Sequence, residues 1–152
     1  MKNFLLSAVI SCCALFFCVT ANAQTVDAYE FGQNSGFAVR SATWIDYYNK
    51  KCYGETTPIY INQTNFILKA IGGRSENSVR EGAAKATGMT PEQVRQFALN
   101  EVDAKLSELG GCRSKEMKAW IEQAKAYNMG YNKYLLGAGD LIHQNPGRNV
   151  FR

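Results

Sequence analysis

Residues 114–135, SKEMKAWIEQAKAYNMGYNKYL, decide the fold because they carry the most regular amphipathic pattern of the chain. At about 100° per residue, eight mostly apolar side chains fall within an arc of about 120°. They are Met117, Trp120, Ile121, Ala124, Tyr127, Asn128, Tyr131 and Leu135. Ser114 can cap the start of a helix here, and the sequence Gly137-Ala138-Gly139 predicts its end. We therefore expect residues 114–135 to form a helix that buries one face.

The segment before this one has the clearest helix start in the chain. Thr90 can act as the cap, Pro91 suits the first helical position, and the Gln93 side chain can return a hydrogen bond to the cap backbone. An inclined apolar ridge follows these residues and extends to Leu109, where Gly110-Gly111 predicts the end. A second helix is therefore expected over residues 91–109.

Three earlier segments are also predicted to be helical: residues 27–51, 59–71 and 75–87. A glycine follows shortly after each of them and can end the helix. Apolar residues surround the axis of the middle segment, which is typical of a central, buried helix, although the alternation at Ile59 and Ile61 leaves a short strand possible. The expected fold class is all-α, a small bundle of four to five helices.

The first 23 residues have the composition of a cleavable secretory signal. Lys2 is their only charged residue, and an apolar run follows from Phe4 to Val19. Ala21 and Ala23 place small residues at both positions that a signal peptidase recognises. The run is shorter than the roughly 20 apolar residues of a membrane-spanning helix. We expect cleavage after Ala23, a periplasmic or secreted product, and no stable membrane insertion.

Removal of the signal changes the cysteine count from five to two. Cys12, Cys13 and Cys18 lie within residues 1–23, so Cys52 and Cys112 remain. Export compartments oxidise exposed thiols, so these two cysteines are predicted to form a disulfide, with a pair of buried thiols as the alternative. The bridge would close the bundle by tethering the end of the first helix to the start of the last.

The remaining chain is predicted to hold one helical domain over residues 24–136 and a loosely ordered polar tail over residues 137–152. Without Lys2, the basic residues number 16 against 13 acidic ones. No run of consecutive basic residues is longer than Lys50-Lys51. Neither a nucleic-acid partner nor a polybasic membrane patch is therefore expected.

Few residues have a pattern that predicts catalysis or metal binding. His143 is the only histidine, and Asp140 at helical spacing would supply only one further ligand. Glu101 and Glu108 could share a helix face, but Lys105 lies between them and solvated surface carboxylates are the simpler interpretation. We predict no catalytic residues, no metal and no cofactor; an enzyme with an unrecognised site is kept as an alternative.

Aromatic residues are the more informative feature, since all eight tyrosines and both tryptophans follow residue 23. Tyrosines on the apolar stripes can fill core edges, whereas exposed ones favour a protein interface. The residues off the stripes form the candidate partner surface: Tyr47, Met129, Tyr134 and Leu136. The predicted function is an exported, non-catalytic protein that binds a protein partner, as an inhibitor, immunity protein or envelope accessory factor. The alternative is a binder of an apolar or amphiphilic small molecule, motivated by residues 59–71.

Overall fold

A computed structural model of the chain describes residues 25–152. They form five helices: α1 (Ala28–Tyr53), α2 (Ile59–Ala70), α3 (Glu76–Thr87), α4 (Pro91–Glu108) and α5 (Lys115–Gln144). Within this range the only β-structure is one isolated bridge. The predicted all-α bundle is confirmed, and the segment at residues 59–71 is a helix rather than a strand. The predicted signal at residues 1–23 lies outside the described residues.

Local chemistry determines most helix ends. Thr90 and Gln93 form the predicted capping box: the Gln93 backbone N–H donates to Thr90 Oγ1 at 3.2 Å, and the Thr90 N–H donates to Gln93 Oε1 at 2.7 Å. Ser114 caps α5 as predicted. Gly54 and Gly88 end α1 and α3 with φ values of 73° and 70°, in the left-handed region that favours glycine.

Helices α1 and α5 form the centre of the bundle and run antiparallel. Ala38 of α1 is beside Asn128 of α5, and further along α1, Trp44 is beside Trp120, nearer the start of α5. Helix α2 packs on the same pair through its buried Leu68. Burying apolar side chains at these contacts is the main source of stability.

A second group of buried residues fixes α4 on the other half of α1. Val102 of α4 is fully buried and packs with Tyr48 of α1 and with Met117 and Ile121 of α5. The two residues that flank Val102 in sequence, Glu101 and Asp103, both bond to α1. Helix α4 is thereby held on α1 by an apolar centre with polar contacts on both sides.

Two buried asparagines of α5 link the three central helices by hydrogen bonds. Asn128 Nδ2 donates to the backbone oxygen of Ala38 at 2.9 Å and to Ser41 Oγ at 3.2 Å. Asn132 Nδ2 donates to Asn128 Oδ1 at 3.1 Å and to Thr64 Oγ1 of α2 at 3.3 Å. Buried amides need such partners, because an unmet donor or acceptor costs about 1–3 kcal/mol.

The last helix extends further than the sequence predicts. Residues 137–139, expected to break it, lie inside α5, which continues to Gln144. Gly139 is buried, and a Cβ atom added there would collide with the side chain of Ile71. Close packing against α2 accounts for this glycine, and the prediction of a helix end near Leu135 is wrong.

The chain after α5 is also packed, which corrects the expectation of a loosely ordered tail over residues 137–152. Val150 is buried, and its backbone oxygen accepts a hydrogen bond from the Val26 N–H at 2.8 Å. Val26 and Phe151 form the isolated parallel bridge. The Phe151 ring meets Phe31 of α1 edge to face, with ring centroids 5.3 Å apart. Residues 150–152 therefore lie against the start of α1.

Helix α2 departs from the expectation of a helix buried on all sides. Ile67 and Leu68 are buried, whereas Ile59 and Phe66 are exposed. The exposed pair lies on the side of α2 that points away from the core. The apolar residues around its axis therefore divide into a packed face and a solvent-exposed face.

Cys52 and Cys112 lie at disulfide distance, with their Cα atoms 5.5 Å apart. That separation is in the range that a bridge requires. The Tyr48 hydroxyl donates to the Cys112 backbone oxygen at 3.0 Å and lies 3.2 Å from the Tyr53 hydroxyl. Burial and the bond to Tyr53 raise the pKa of Tyr48 to about 12. The end of α1 and the chain just before α5 are thus brought together, as predicted.

Candidate functional site

The two potential metal ligands near the end of α5 do not form a site. His143 Nε2 lies 3.0 Å from the backbone oxygen of Ala70, so one ring nitrogen already contacts α2. Across residues 25–152, no group of three or more histidine, cysteine, aspartate or glutamate side chains is close enough to hold a metal ion. Asp140 therefore has no third ligand beside it in this part of the chain.

The two glutamates considered for catalysis are both engaged by neighbouring side chains. Arg40 Nε and Trp44 Nε1 each donate to Glu101 Oε2 at 2.9 Å, and a second Arg40 nitrogen pairs with Glu101 Oε1. Glu108 pairs with Lys105 at 2.7 Å. A carboxylate that accepts three hydrogen bonds on a helix interface has a structural role, since α4 is held on α1 by these contacts.

A cluster of polar residues holds α3 on the bundle. Asn65 of α2 exchanges two hydrogen bonds with Glu76, one to the backbone N–H at 2.7 Å and one to the carboxylate at 3.1 Å. The same carboxylate pairs with Arg80, which also reaches Thr43 of α1 at 3.4 Å. Burial lowers the pKa of Arg80, while the charge of Glu76 acts in the opposite direction. These contacts attach α3, whose only buried residue is Ala84.

Exposed aromatic rings form a surface across α1, α4 and α5. We define the aromatic surface by Phe37 and Arg40 of α1, Phe97 of α4, and Tyr127 and Tyr131 of α5. The rings of Phe37 and Tyr131 stack with centroids 5.4 Å apart, and Tyr127 lies 6.4 Å from Tyr131. The guanidinium of Arg40 lies over the Phe97 ring at 5.5 Å. Phe37, Phe97 and Tyr127 are 42%, 52% and 50% exposed.

The aromatic surface rests on a partly buried tryptophan pair. Trp44 and Trp120 lie 5.2 Å apart, and the Arg40 guanidinium is 5.0 Å from the Trp44 ring. Since Glu101 neutralises Arg40, the charge at the centre of this surface is internally paired. The surface therefore presents flat apolar rings rather than an excess charge.

The four residues predicted as one partner surface are divided among three places. Met129 and Leu136, two turns apart on α5, are exposed on one side of that helix. Tyr134 lies about 140° around the axis from Met129, on the side of Tyr127. Tyr47 is half-buried, and its hydroxyl donates to Asp103 at 3.2 Å. Only the Met129–Leu136 pair shares one exposed strip.

Tyr127 was predicted to lie on the buried arc of α5, and Phe37 was not among the predicted partner residues, so the aromatic surface was not predicted. Both residues lie at the edge of an amphipathic arc, and an edge residue is covered on one side only. The available signal was the presence of aromatic residues at the arc edges of two helices that were expected to be neighbours. Phe97 lies beside the apolar ridge of α4 and gave the same signal.

Two open grooves lie elsewhere on the molecule. One of about 500 Å³ follows the α3–α4 connection near Met89 and Pro91. The other, of about 890 Å³, lies beside Tyr134 and includes Gly130 and Glu30. Burial, with smaller contributions from the charges of Glu30 and Asp27, raises the pKa of Tyr134.

Among the described helices, none is long and apolar enough to cross a membrane.

Comparison with known proteins identifies no relative: no family model, no curated protein and no solved structure matches the chain.

Proposed function

We propose that the chain, after loss of residues 1–23, is an exported, non-catalytic protein that binds another protein through the aromatic surface. The observation that supports this most is that Phe37, Phe97 and Tyr127 stay about half exposed although they lie on packed helices. Large apolar side chains exposed together favour an interface. The engaged state of Glu101 and Glu108 supports the non-catalytic part of the proposal.

The composition of the aromatic surface suits a protein partner. Tyrosine, tryptophan and arginine are the residues most enriched among those that dominate binding energy at interfaces. Aromatic side chains have few rotatable bonds, so they lose little conformational entropy on contact. Arg40 is already held by Glu101, which reduces this cost further. We propose that the chain acts as an inhibitor, an immunity protein or an envelope accessory factor.

Site-specific photocrosslinking in cells that express and export the protein tests the proposal. A photoreactive phenylalanine analogue replaces Phe97 or Tyr127, and a matched control places it at Met89, which is similarly exposed in the α3–α4 connection. We expect a discrete light-dependent adduct from positions 97 and 127, and no such adduct from position 89. No adduct from either surface position, or equal adducts from all three, would contradict the proposal.

A second variant links the adduct to the surface. Phe97→Asp should reduce the yield of the adduct formed from position 127 at least tenfold. Partner binding would have to remove water from the new carboxylate in an apolar contact, which costs free energy. Its melting temperature should stay close to that of wild type, since Phe97 is half exposed. An unchanged adduct in a normally folded Phe97→Asp protein would show that the partner contacts another surface.

A further inference from the structure

The Arg40 guanidinium gives the aromatic surface hydrogen-bond donors that are not used within the protein. Its Nε and one Nη2 hydrogen bond to Glu101, whereas a guanidinium carries five N–H donors and no acceptor. No other acceptor within residues 25–152 bonds to Arg40, and its side chain is 38% exposed. The remaining N–H groups are therefore available to a ligand that supplies oxygen acceptors.

The Tyr127 hydroxyl is a second available donor. Gln123 Nε2 donates to the Tyr127 oxygen at 2.8 Å, so this bond does not use the hydroxyl hydrogen. Among residues 25–152 the hydroxyl has no other hydrogen-bond partner, and Tyr127 is half exposed. The hydroxyl can therefore donate to a ligand while it keeps its bond to Gln123.

The carboxylate beside the aromatic surface has both oxygens in use. Glu101 Oε2 accepts from Arg40 Nε and from Trp44 Nε1, each at 2.9 Å, and Glu101 Oε1 pairs with Arg40. A ligand rich in N–H groups would find these acceptors occupied. A ligand rich in carbonyl oxygens would find the donors of Arg40 and Tyr127 available.

The aromatic rings are spaced for an extended segment. The rings of Phe37 and Tyr131 are stacked at 5.4 Å, and those of Tyr131 and Tyr127 are 6.4 Å apart. A polyproline II helix rises about 3.1 Å per residue, so its residues i and i+2 are separated by about 6 Å along the axis. Successive rings of the surface therefore match alternate residues of such a helix.

From these observations we propose that the aromatic surface binds a proline-rich segment of the partner protein in the polyproline II conformation. The inference rests on the proposed function above and names the chemistry of the contact. Proline has no backbone N–H, and the polyproline II helix has no internal hydrogen bonds, so its carbonyl oxygens stay free. Segments of this kind dock on aromatic surfaces in several recognition domains.

Two further properties favour this occupant. The charge of Arg40 is compensated by Glu101, so the surface suits a segment without net charge. An α-helical segment would use most of its carbonyl oxygens in its own hydrogen bonds and would offer few to Arg40 and Tyr127. The polyproline II helix is also formed before binding, so little conformational entropy is lost on contact.

Calorimetric titration of the purified exported protein with synthetic peptides tests the inference. The probe is an unlabelled peptide of eight prolines with both termini blocked, and the control is a blocked glycine–serine peptide of the same length, which is a flexible coil. We expect saturable binding of the proline peptide alone. The affinity should change little with salt concentration, because neither the peptide nor the paired Arg40 contributes a net charge.

Variants locate the binding and test the role of the hydroxyl. Phe97→Asp should weaken proline-peptide binding at least tenfold. Tyr127→Phe keeps the ring but removes the donor, and should weaken binding roughly three- to tenfold, the effect of one neutral hydrogen bond. Tyr29→Phe is the matched control: Tyr29 is exposed, lies outside the aromatic surface, and its hydroxyl accepts from Gln33 Nε2 at 2.7 Å. It should bind like wild type.

Three outcomes would overturn the inference: the proline peptide does not bind to folded wild type; the glycine–serine peptide binds equally well; or Tyr127→Phe and Tyr29→Phe, both with wild-type melting temperatures, have the same affinity. Saturable binding of a neutral oligosaccharide instead of the proline peptide would also overturn it. A light-dependent adduct from positions 97 and 127 without proline-peptide binding would refute only this inference and leave the proposed function standing.

Discussion

Asp46 of α1 accepts a hydrogen bond from the backbone N–H of Ile61 at 2.8 Å, in the first turn of α2. The same carboxylate accepts from the Tyr60 N–H at 3.1 Å. Pro58, at the cap position of α2, has no side-chain acceptor. The cap that the other four helices obtain from a local aspartate, serine or threonine is supplied here by a neighbouring helix, so the start of α2 depends on the position of α1.

Removing this carboxylate should destabilise the protein. Asp46→Ala leaves two backbone N–H groups of α2 without their acceptor and should lower the free energy of unfolding by about 1–2 kcal/mol. Asp46→Asn keeps one acceptor oxygen and should lose less. Urea denaturation of the three proteins at pH 7 measures both effects. An alanine variant as stable as wild type would show that water caps α2 equally well.

The titration of Asp46 should reduce stability as the pH rises. Burial is the largest effect on this group, and it raises the pKa of Asp46 above the ordinary value of 3.8 despite the hydrogen bonds from α2. As the pH rises, the unfolded chain therefore releases this proton at a lower pH than the folded protein does. The contribution of Asp46 to the free energy of unfolding is complete below the pKa of the unfolded chain and is lost as the pH rises through the pKa of the folded protein. The stability of wild type relative to Asp46→Asn should fall as the pH rises over the range that begins near the ordinary pKa of 3.8. A relative stability that rises over this range would contradict the predicted direction.

Two glycines of α5, two residues apart, should respond to alanine in opposite ways. A Cβ atom at Gly137 meets no other atom, so Gly137→Ala should raise the free energy of unfolding by about 0.5–1 kcal/mol through helix propensity. A Cβ atom at Gly139 collides with Ile71, so Gly139→Ala should lower it by about 1–3 kcal/mol. Thermal and urea unfolding of the pair provides the measurement. Equal responses would indicate that the end of α5 is not packed on α2.

Loss of the cysteine pair should lower stability without changing the fold. The bridge between Cys52 and Cys112 closes a loop with a sequence separation of 60, for which the chain-entropy estimate is roughly 4 kcal/mol as an upper figure. The double variant Cys52→Ser/Cys112→Ser should lose up to that amount in urea denaturation. Wild type treated with a reductant is the control and should behave like the double variant. Two alkylatable thiols in native, unreduced protein would show that the bridge does not form.

Export should leave Gln24 as the first residue. The small residues at positions 21 and 23 are the basis for this prediction. Intact mass spectrometry of protein from the periplasmic or extracellular fraction should give the mass of residues 24–152, with or without cyclisation of Gln24. Full-length precursor retained in the membrane would contradict it.

Features determined by nearby residues were the predictable part of the fold. The capping box of Thr90 and Gln93 and the αL glycine at Gly88 involve atoms within a few residues of each other, so sequence spacing alone indicates them. The cap from Asp46 connects positions 14 and 15 residues apart, and no local pattern distinguishes it from a solvated carboxylate.

The remaining errors arose where tertiary packing outweighed local preference. Gly139 is unfavourable in an isolated helix, yet the contact with Ile71 requires a residue without a side chain there, and α5 continues through it. Met129 and Leu136 share one exposed strip of α5, because seven residues are close to two helical turns. Whether a ring such as Phe97 stays exposed depends on where α4 crosses α1, and this crossing involves partners about 60 residues apart in sequence.

The buried amides of Asn128 and Asn132 restrict how α5 can be aligned with its neighbours. Sliding α5 by one turn along α1 would move Asn128 about 5.4 Å away from the Ala38 oxygen while keeping it in an apolar environment. An interface of leucines alone would tolerate such a shift, because apolar contacts do not depend on orientation as hydrogen bonds do. Each buried amide that loses its hydrogen-bond partners in the shifted packing would instead cost about 1–3 kcal/mol. The two amides therefore destabilise misaligned packings more than they stabilise the native one. The asparagines thus favour the native alignment of α1, α2 and α5 over competing compact states.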